Sequence, residues 1–92
     1  MRAVTGVNLS IAPNPVRDRT TVVLDLEAES HVRVAVYDVL GREVLVIANG
    51  ARAAGRHPLT MDVARLMPGA YVVRVQIQAG NEVTARRVTV AR

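Results

Sequence analysis

The chain has 92 residues, with 12 arginines, no lysine and 8 acidic residues, which gives a formal net charge of +4. This length allows one compact domain and hardly two. Cysteine is absent, which excludes disulfides and thiolate metal ligands. The longest apolar run, residues 44–48, is far shorter than the ~20 residues of a membrane-spanning helix. No apolar stretch follows a charged start, so no secretory signal peptide is expected.

Valine dominates the apolar residues, with 18 valines against 7 leucines and no phenylalanine or tryptophan. β-Branched side chains suit a pleated sheet better than a helix. Alternation of apolar and polar residues predicts strands at residues 7–11, 20–26, 31–37, 42–47, 57–61, 70–79 and 82–91. Seven short strands at this spacing predict an all-β fold, a seven-stranded antiparallel immunoglobulin-like β-sandwich.

The connections in the first half of the chain carry clear turn signals. Pro13 and Pro15 end the first strand, because proline cannot donate a hydrogen bond to a ladder. Asp38 and Gly41 predict a tight turn, with the carboxylate as a cap and the glycine at a positive φ. Residues 49–55 are expected to form a loop.

The second half contains a more specific signal. Pro58 predicts that the fifth strand lies at a sheet edge, and Asp62 is expected to cap one helical turn over residues 62–67. Residues 66–71 have the form of a tyrosine corner, in which a tyrosine near the start of a late strand bonds upstream backbone. Tyr71 is therefore interpreted as a structural lock.

The valines of the last strand fall at positions of opposite parity. A bulge at Arg86 and Arg87 is expected to bring them to one face, because an extra residue reverses the alternation. With a three-residue loop over residues 79–81, both arginines would oppose Arg74 on the neighbouring strand. Like charges in such a position favour an anionic partner.

Patterns typical of catalysis are missing. His31 and His57 lie far apart, and Ser30 cannot act with His31 because neighbouring residues of a strand point to opposite faces. The glycines form no phosphate-binding motif and the carboxylates are isolated. We therefore expect no catalytic residue, metal or cofactor. Scattered arginines and only two aromatic residues also argue against nucleic-acid binding.

Four sequence segments occur in a characteristic order. They are LSIAPNP at residues 9–15, VYDVLGREV at 36–44, LMPGAYVVRV at 66–75 and RRVTVAR at 86–92. Together they resemble the type A C-terminal sorting domain of the type IX (Por) secretion system, over nearly the whole chain. The domain is expected to span residues 8–92, with residues 1–7 an added start or the end of a linker.

The resemblance implies an immunoglobulin-like domain that passes through the periplasm and directs an attached cargo protein across the outer membrane to the cell surface. The implied partners are the type IX secretion machinery and a surface sortase. The residues that match the family motifs, and are candidate sorting or recognition residues by that resemblance, are Pro13, Asn14, Pro15, Asp38, Gly41, Gly69, Tyr71, Arg86, Arg87, Val88, Val90 and Arg92.

An alternative function stays open at this point. Immunoglobulin-like sandwiches also serve as spacers or binding modules of multidomain secreted enzymes. Neither interpretation requires an active site in this chain. The sorting domain and the spacer or binding module differ in whether the final strand is required for export, which an export experiment can decide.

Overall fold

The computed structural model describes residues 7–77 and 82–91, and these residues form all seven expected strands. The strands are β1 (Val7–Ala12), β2 (Arg19–Leu26), β3 (Ser30–Tyr37), β4 (Glu43–Arg52), β5 (Gly55–Asp62), β6 (Gly69–Ile77) and β7 (Glu82–Val90). The described ranges include no helix with the length and hydrophobicity that membrane crossing requires.

The strands form two antiparallel sheets that pack against each other. One sheet has the order β1-β2-β5 and the other has the order β4-β3-β6-β7. The chain changes sheet between β2 and β3, between β4 and β5, and between β5 and β6. The predicted β-sandwich is thereby confirmed. β5 is an edge strand, as Pro58 indicated.

The core consists of one apolar face from each sheet. Alternate residues of β2, β3 and β6 are buried, and Val22, Leu24, Val34 and Val73 have no solvent-exposed surface. Full burial of such a side chain contributes about 1.5–3 kcal/mol. Because a shift of one residue would turn each apolar set toward water, this burial fixes the register of the strands.

β7 forms a regular ladder with β6, so the bulge expected at Arg86 and Arg87 is wrong. Tyr71 pairs with Val88, and the same register continues along the whole of both strands. Val83 remains exposed on the outer face. Val83 therefore faces solvent while Val88 and Val90 face the core, and the strand contains no extra residue.

The pairing of Arg74 also differs from the expectation. Arg74 lies opposite Ala85, and neither Arg86 nor Arg87 opposes it. The like-charge argument for an anionic partner is therefore wrong. The predicted loop over residues 79–81 and the last two residues predicted for the sixth strand lie outside the described residues.

Irregular pairing is found in β4. Register shifts occur beside Val34 and Val36 of β3. β4 also continues through most of the region predicted as a loop over residues 49–55, because its backbone completes the pairing of β3 as far as Ser30 with Arg52.

The predicted helical turn over residues 62–67 is a non-helical turn. The Asp62 carboxylate accepts a hydrogen bond from the Ala64 amide at 3.0 Å, so the predicted cap is present. The Leu66 amide donates to the Val63 carbonyl at 2.9 Å. The chain then enters β6 before a helix can be propagated.

Tyr71 forms the predicted tyrosine corner. Its hydroxyl donates a 2.6 Å hydrogen bond to the carbonyl of Met67, and its ring belongs to the buried core. The β5–β6 connection is therefore tied to the interior of the sandwich by one side chain.

We predict that Tyr71→Phe lowers the free energy of unfolding by about 1–3 kcal/mol, because the Met67 carbonyl loses its hydrogen-bond partner. Equilibrium urea denaturation measures the change. The matched control is Tyr37→Phe, whose hydroxyl lies at the exposed surface 3.4 Å from Glu43, and which should change stability by less than about 0.5 kcal/mol. Equal effects of the two substitutions would contradict the structural role of Tyr71.

Candidate recognition site

One end of the sandwich brings together parts of all four motif segments. Because successive strands run in opposite directions, the β1–β2, β3–β4 and β5–β6 connections and the end of β7 meet there. We call this region the motif end; it comprises residues 13–18, 38–42, 63–71 and 87–91. Of the candidate residues, Arg92 lies outside the described residues.

Asn14 joins the first connection to the last strand. Its Nδ2 donates to the Arg87 carbonyl at 3.3 Å, and its Oδ1 accepts from the Thr89 amide at 3.0 Å. The side-chain amide thus pairs with the outer edge of β7 as a strand residue would. Pro13 and Pro15 flank it, and both follow cis peptide bonds.

Val16 extends this contact along β7. Its amide donates to the Thr89 carbonyl at 2.8 Å, and its carbonyl accepts from the Ala91 amide at 2.9 Å. The side chain of Val16 is fully buried. The Thr20 hydroxyl, also buried, donates to the Pro13 carbonyl at 2.7 Å. Residues 14 and 16 therefore cover the edge of the last strand at its carboxyl-terminal end.

The candidate residues of β7 divide into two kinds. Val88 and Val90 are buried in the core and are not available to a partner. Arg86 and Arg87 are exposed, and as neighbours on a strand they project from opposite faces. Arg86 Nη1 donates to the carbonyl of Ala85 at 3.0 Å.

Asp38 holds the β3–β4 turn in the predicted manner. Its Oδ1 accepts hydrogen bonds from the amides of Leu40 at 2.9 Å and Arg42 at 3.0 Å, and its Oδ2 accepts from Arg42 Nε at 2.8 Å. These bonds, with the Arg42 amide first, lower the pKa of the Asp38 carboxyl. Gly41 has a φ of 81°, which favours glycine.

Arginines line the outer face of the four-stranded sheet. Arg33 forms a two-point ion pair with Glu43 at 2.7 and 2.8 Å, which lowers the pKa of Glu43 and raises that of Arg33. The guanidinium of Arg74 lies 5.5 Å from the centre of the Tyr37 ring. Within the described ranges, Arg74 and Arg87 have no carboxylate partner.

The motif end exposes three large apolar side chains that the sequence analysis did not select: Val39, Leu40 and Met67. They border an open groove of about 550 Å³ between the β3–β4 turn and the β5–β6 connection, which we call the turn groove. An adjoining cavity of about 210 Å³ extends to Arg87. The sequence signal for this surface was the pair Val39 and Leu40, two apolar residues at the centre of a tight turn where polar residues are usual.

The histidines have structural partners. His57 Nε2 lies 2.7 Å from the Ala53 carbonyl, and His31 Nε2 lies 3.3 Å from the Asn49 side-chain oxygen. In the described part of the chain, no three His, Cys, Asp or Glu side chains are grouped to hold a metal ion. What the motif end presents to a partner is therefore shape, apolar surface and positive charge.

The chain is thus a β-sandwich in which residues of the motifs hold two turns and the edge of the terminal strand. The family model described as the secretion system C-terminal sorting domain matches residues 10–91. The chain belongs to this family, and it is a C-terminal sorting signal for type IX secretion. Such a signal directs export to the cell surface or secretion.

Comparison with solved structures supports the fold. The chain is similar to the crystal structure of dimeric latent PorU from Porphyromonas gingivalis, with a TM-score of 0.69 and 19% sequence identity. The match covers 92% of this chain and 9% of that chain, so the likeness concerns one domain of a much longer protein. No curated protein matches the chain.

We predict that Asn14→Ala increases hydrogen exchange at the amides of Thr89 and Ala91, because the outer edge of β7 loses two hydrogen bonds. NMR-detected exchange under native conditions measures the effect at each amide. The control is Asn8→Ala, an exposed position of β1, which should leave exchange in β7 unchanged. Unchanged protection of Thr89 in Asn14→Ala would contradict a stabilising role for the pairing of Asn14 with β7.

We also predict a pH-dependent effect of Asp38→Asn. Folding lowers the pKa of the Asp38 carboxyl. The carboxylate therefore stabilises the fold at pH values above the ordinary carboxyl pKa, and this stabilisation is lost as the pH falls through the lowered pKa. The variant should therefore melt below the wild type at pH 7, and the difference should shrink on acidification.

Thermal melts followed by circular dichroism from pH 7 downward check this prediction. Glu27→Gln removes an exposed carboxylate outside the turn and should melt like the wild type at pH 7. A difference between Asp38→Asn and wild type that grew toward acid pH would have the wrong sign.

Proposed function

We propose that residues 8–92 form a single C-terminal sorting domain of a longer exported protein. The cargo precedes this unit, and the folded unit is presented to the type IX machinery from the periplasmic side. A surface sortase then acts on the attached protein at the cell surface. The domain itself contributes recognition and no catalysis. Membership of the sorting-domain family is the observation that carries this proposal.

The position of β1 supports an amino-terminal cargo. β1 begins at Val7, which pairs with Leu26, whereas Ala12 at the other end of the strand leads directly into the motif end. The described residues extend 44 Å along their longest axis. A cargo joined before β1 would therefore lie at the opposite end of the sandwich and leave the motif end accessible.

Residues 86–91 of the terminal segment act, in this proposal, as part of the folded domain. Val88 and Val90 are buried, and the edge beside them is occupied by Asn14 and Val16. A receptor that read this segment as a free peptide would first have to pull two core residues out of the sandwich. Recognition of the exposed surface of the folded motif end avoids that cost.

Export of a reporter tests the proposal. Residues 1–92 are fused to the carboxyl terminus of a periplasm-directed reporter in a bacterium that has a type IX system, and surface and secreted reporter are measured. We expect export by the intact domain. We expect loss of export after deletion of residues 86–92, and also in Val88→Asp, which places a charge in the core.

A point substitution separates recognition from folding. Arg86→Glu/Arg87→Glu changes exposed charges and should reduce export while the purified domain keeps its melting temperature. The matched control, Arg52→Glu/Arg56→Glu, makes the same charge change at the opposite end of the sandwich. Failure of the intact fusion to leave the cell would contradict the proposal and favour a spacer or binding module.

A further inference from the structure

We propose that the turn groove is a docking surface for an extended segment of a partner protein, with apolar side chains flanked by carboxylates. This inference deepens the proposed function, on which it rests, by naming the contact surface and the chemistry of the segment that it binds. It assigns the contact to Val39, Leu40 and Met67, none of which belongs to the candidate residues matched by the family motifs.

The apolar side chains of the turn groove are exposed to an unusual degree. Val39 is 78% exposed, Leu40 is 73% exposed and Met67 is 76% exposed, whereas the next most exposed large apolar side chain among the described residues, Val83, is 46% exposed. The three come from two separate connections and border one cavity. Single apolar residues scattered over a surface need no partner. Clustered exposure of this kind, by contrast, marks an interaction surface.

Both connections are held rigidly by hydrogen bonds. Asp38 fixes the turn that carries Val39 and Leu40 through two amides and the Arg42 side chain. Tyr71 fixes the connection that carries Met67 through its bond to the Met67 carbonyl. The surface is therefore organised before a partner arrives, which reduces the entropy lost on binding.

The charges around the groove favour an acidic segment. Arg42 and Arg65 line the turn groove, and Arg87 lines the adjoining cavity. The carboxylate of Asp38, which lines both cavities, is engaged by Arg42. Among the described residues neither Arg65 nor Arg87 has a carboxylate partner, so both can pair with carboxylates that flank an apolar segment.

The shape of the surface distinguishes a peptide from broader partners. The apolar side chains border an open groove between two connections, which Arg65 also lines, and Arg87 lines the adjoining cavity. An extended chain can place alternate side chains into such a groove. A lipid surface or a second folded copy of this domain is too broad to enter a groove between two connections and would leave it unfilled.

NMR titration of the full chain tests the inference. The probe is an acetylated, amidated heptapeptide with a Leu-Val-Leu centre and two glutamates on each side. We expect saturable shift changes at the amides of residues 38–42 and 66–71 and of Arg87. A peptide with lysine in place of glutamate, and one with serine in place of the apolar centre, should each bind at least about 5-fold more weakly.

Variants assign the contact. Leu40→Ser/Met67→Ser and, separately, Arg65→Glu/Arg87→Glu should weaken binding at least about 5-fold without lowering the melting temperature. The matched controls are Val46→Ser/Val83→Ser, which are exposed apolar positions outside the groove, and Arg52→Glu/Arg56→Glu, at the opposite end of the sandwich. Binding that ignores the groove variants, or no binding of the glutamate peptide, would overturn the proposal.

Two further measurements examine other occupants. Sedimentation of the chain with phosphatidylglycerol vesicles, lost in Leu40→Ser/Met67→Ser, would replace the peptide with a membrane and overturn the proposal. Concentration-dependent dimerisation abolished by the same variant would replace it with a second copy of this chain. We expect neither result.

The export assay separates this inference from the proposed function. In the reporter fusion, Leu40→Ser/Met67→Ser should reduce export at least about 5-fold, and Val46→Ser/Val83→Ser should not. If the unaltered fusion is exported and the groove variant is exported equally well, the docking surface is refuted and the sorting function stands. If the unaltered fusion is not exported, the sorting proposal fails, whereas peptide binding is judged by the titration.

Discussion

Burial of one valine-rich face from each sheet holds this domain together, because the chain contains no phenylalanine or tryptophan to enlarge its core. Fully buried valines such as Val22, Val34, Val73 and Val75 come from both sheets and from strands distant in sequence. Their burial fixes strand register, since a shift of one residue would expose an entire apolar row. Every feature of the motif end depends on that register, including the pairing of Tyr71 with Val88.

At the motif end, the candidate residues Asn14, Asp38 and Tyr71 stabilise the structure that presents a surface, and they do not form that surface. Asp38 closes one turn, Tyr71 ties down another connection, and Asn14 pairs with the edge of β7. An uncovered strand edge can pair with other chains. The hydrogen bonds of Asn14 to β7 therefore also protect the end of the last strand. The exposed side chains at this end include Arg65 and Arg87 and the apolar residues Val39, Leu40 and Met67.

The last strand illustrates where reasoning from the sequence was insufficient. Alternation alone suggested that all its valines face the core, which required a bulge at Arg86 and Arg87. In the structure, Val83 is exposed and the ladder with β6 is regular. The spacing of the valines along β7 is compatible either with a bulge or with one exposed valine. β7 is an edge strand, where exposing one valine costs less than interrupting the ladder, and this position in the sheet is not encoded locally.

The sequence by itself determined the strands, the capped turn at Asp38 and the tyrosine corner at Tyr71, because each depends on alternation or on hydrogen bonds between residues close in the chain. It also determined the family, through the order of four motifs. Only the tertiary structure decided that Asn14 binds β7, 75 positions from Thr89, and that Val39, Leu40 and Met67 border one groove. Contacts between distant segments depend on how the strands are ordered in the sheets, and local sequence patterns leave that order open.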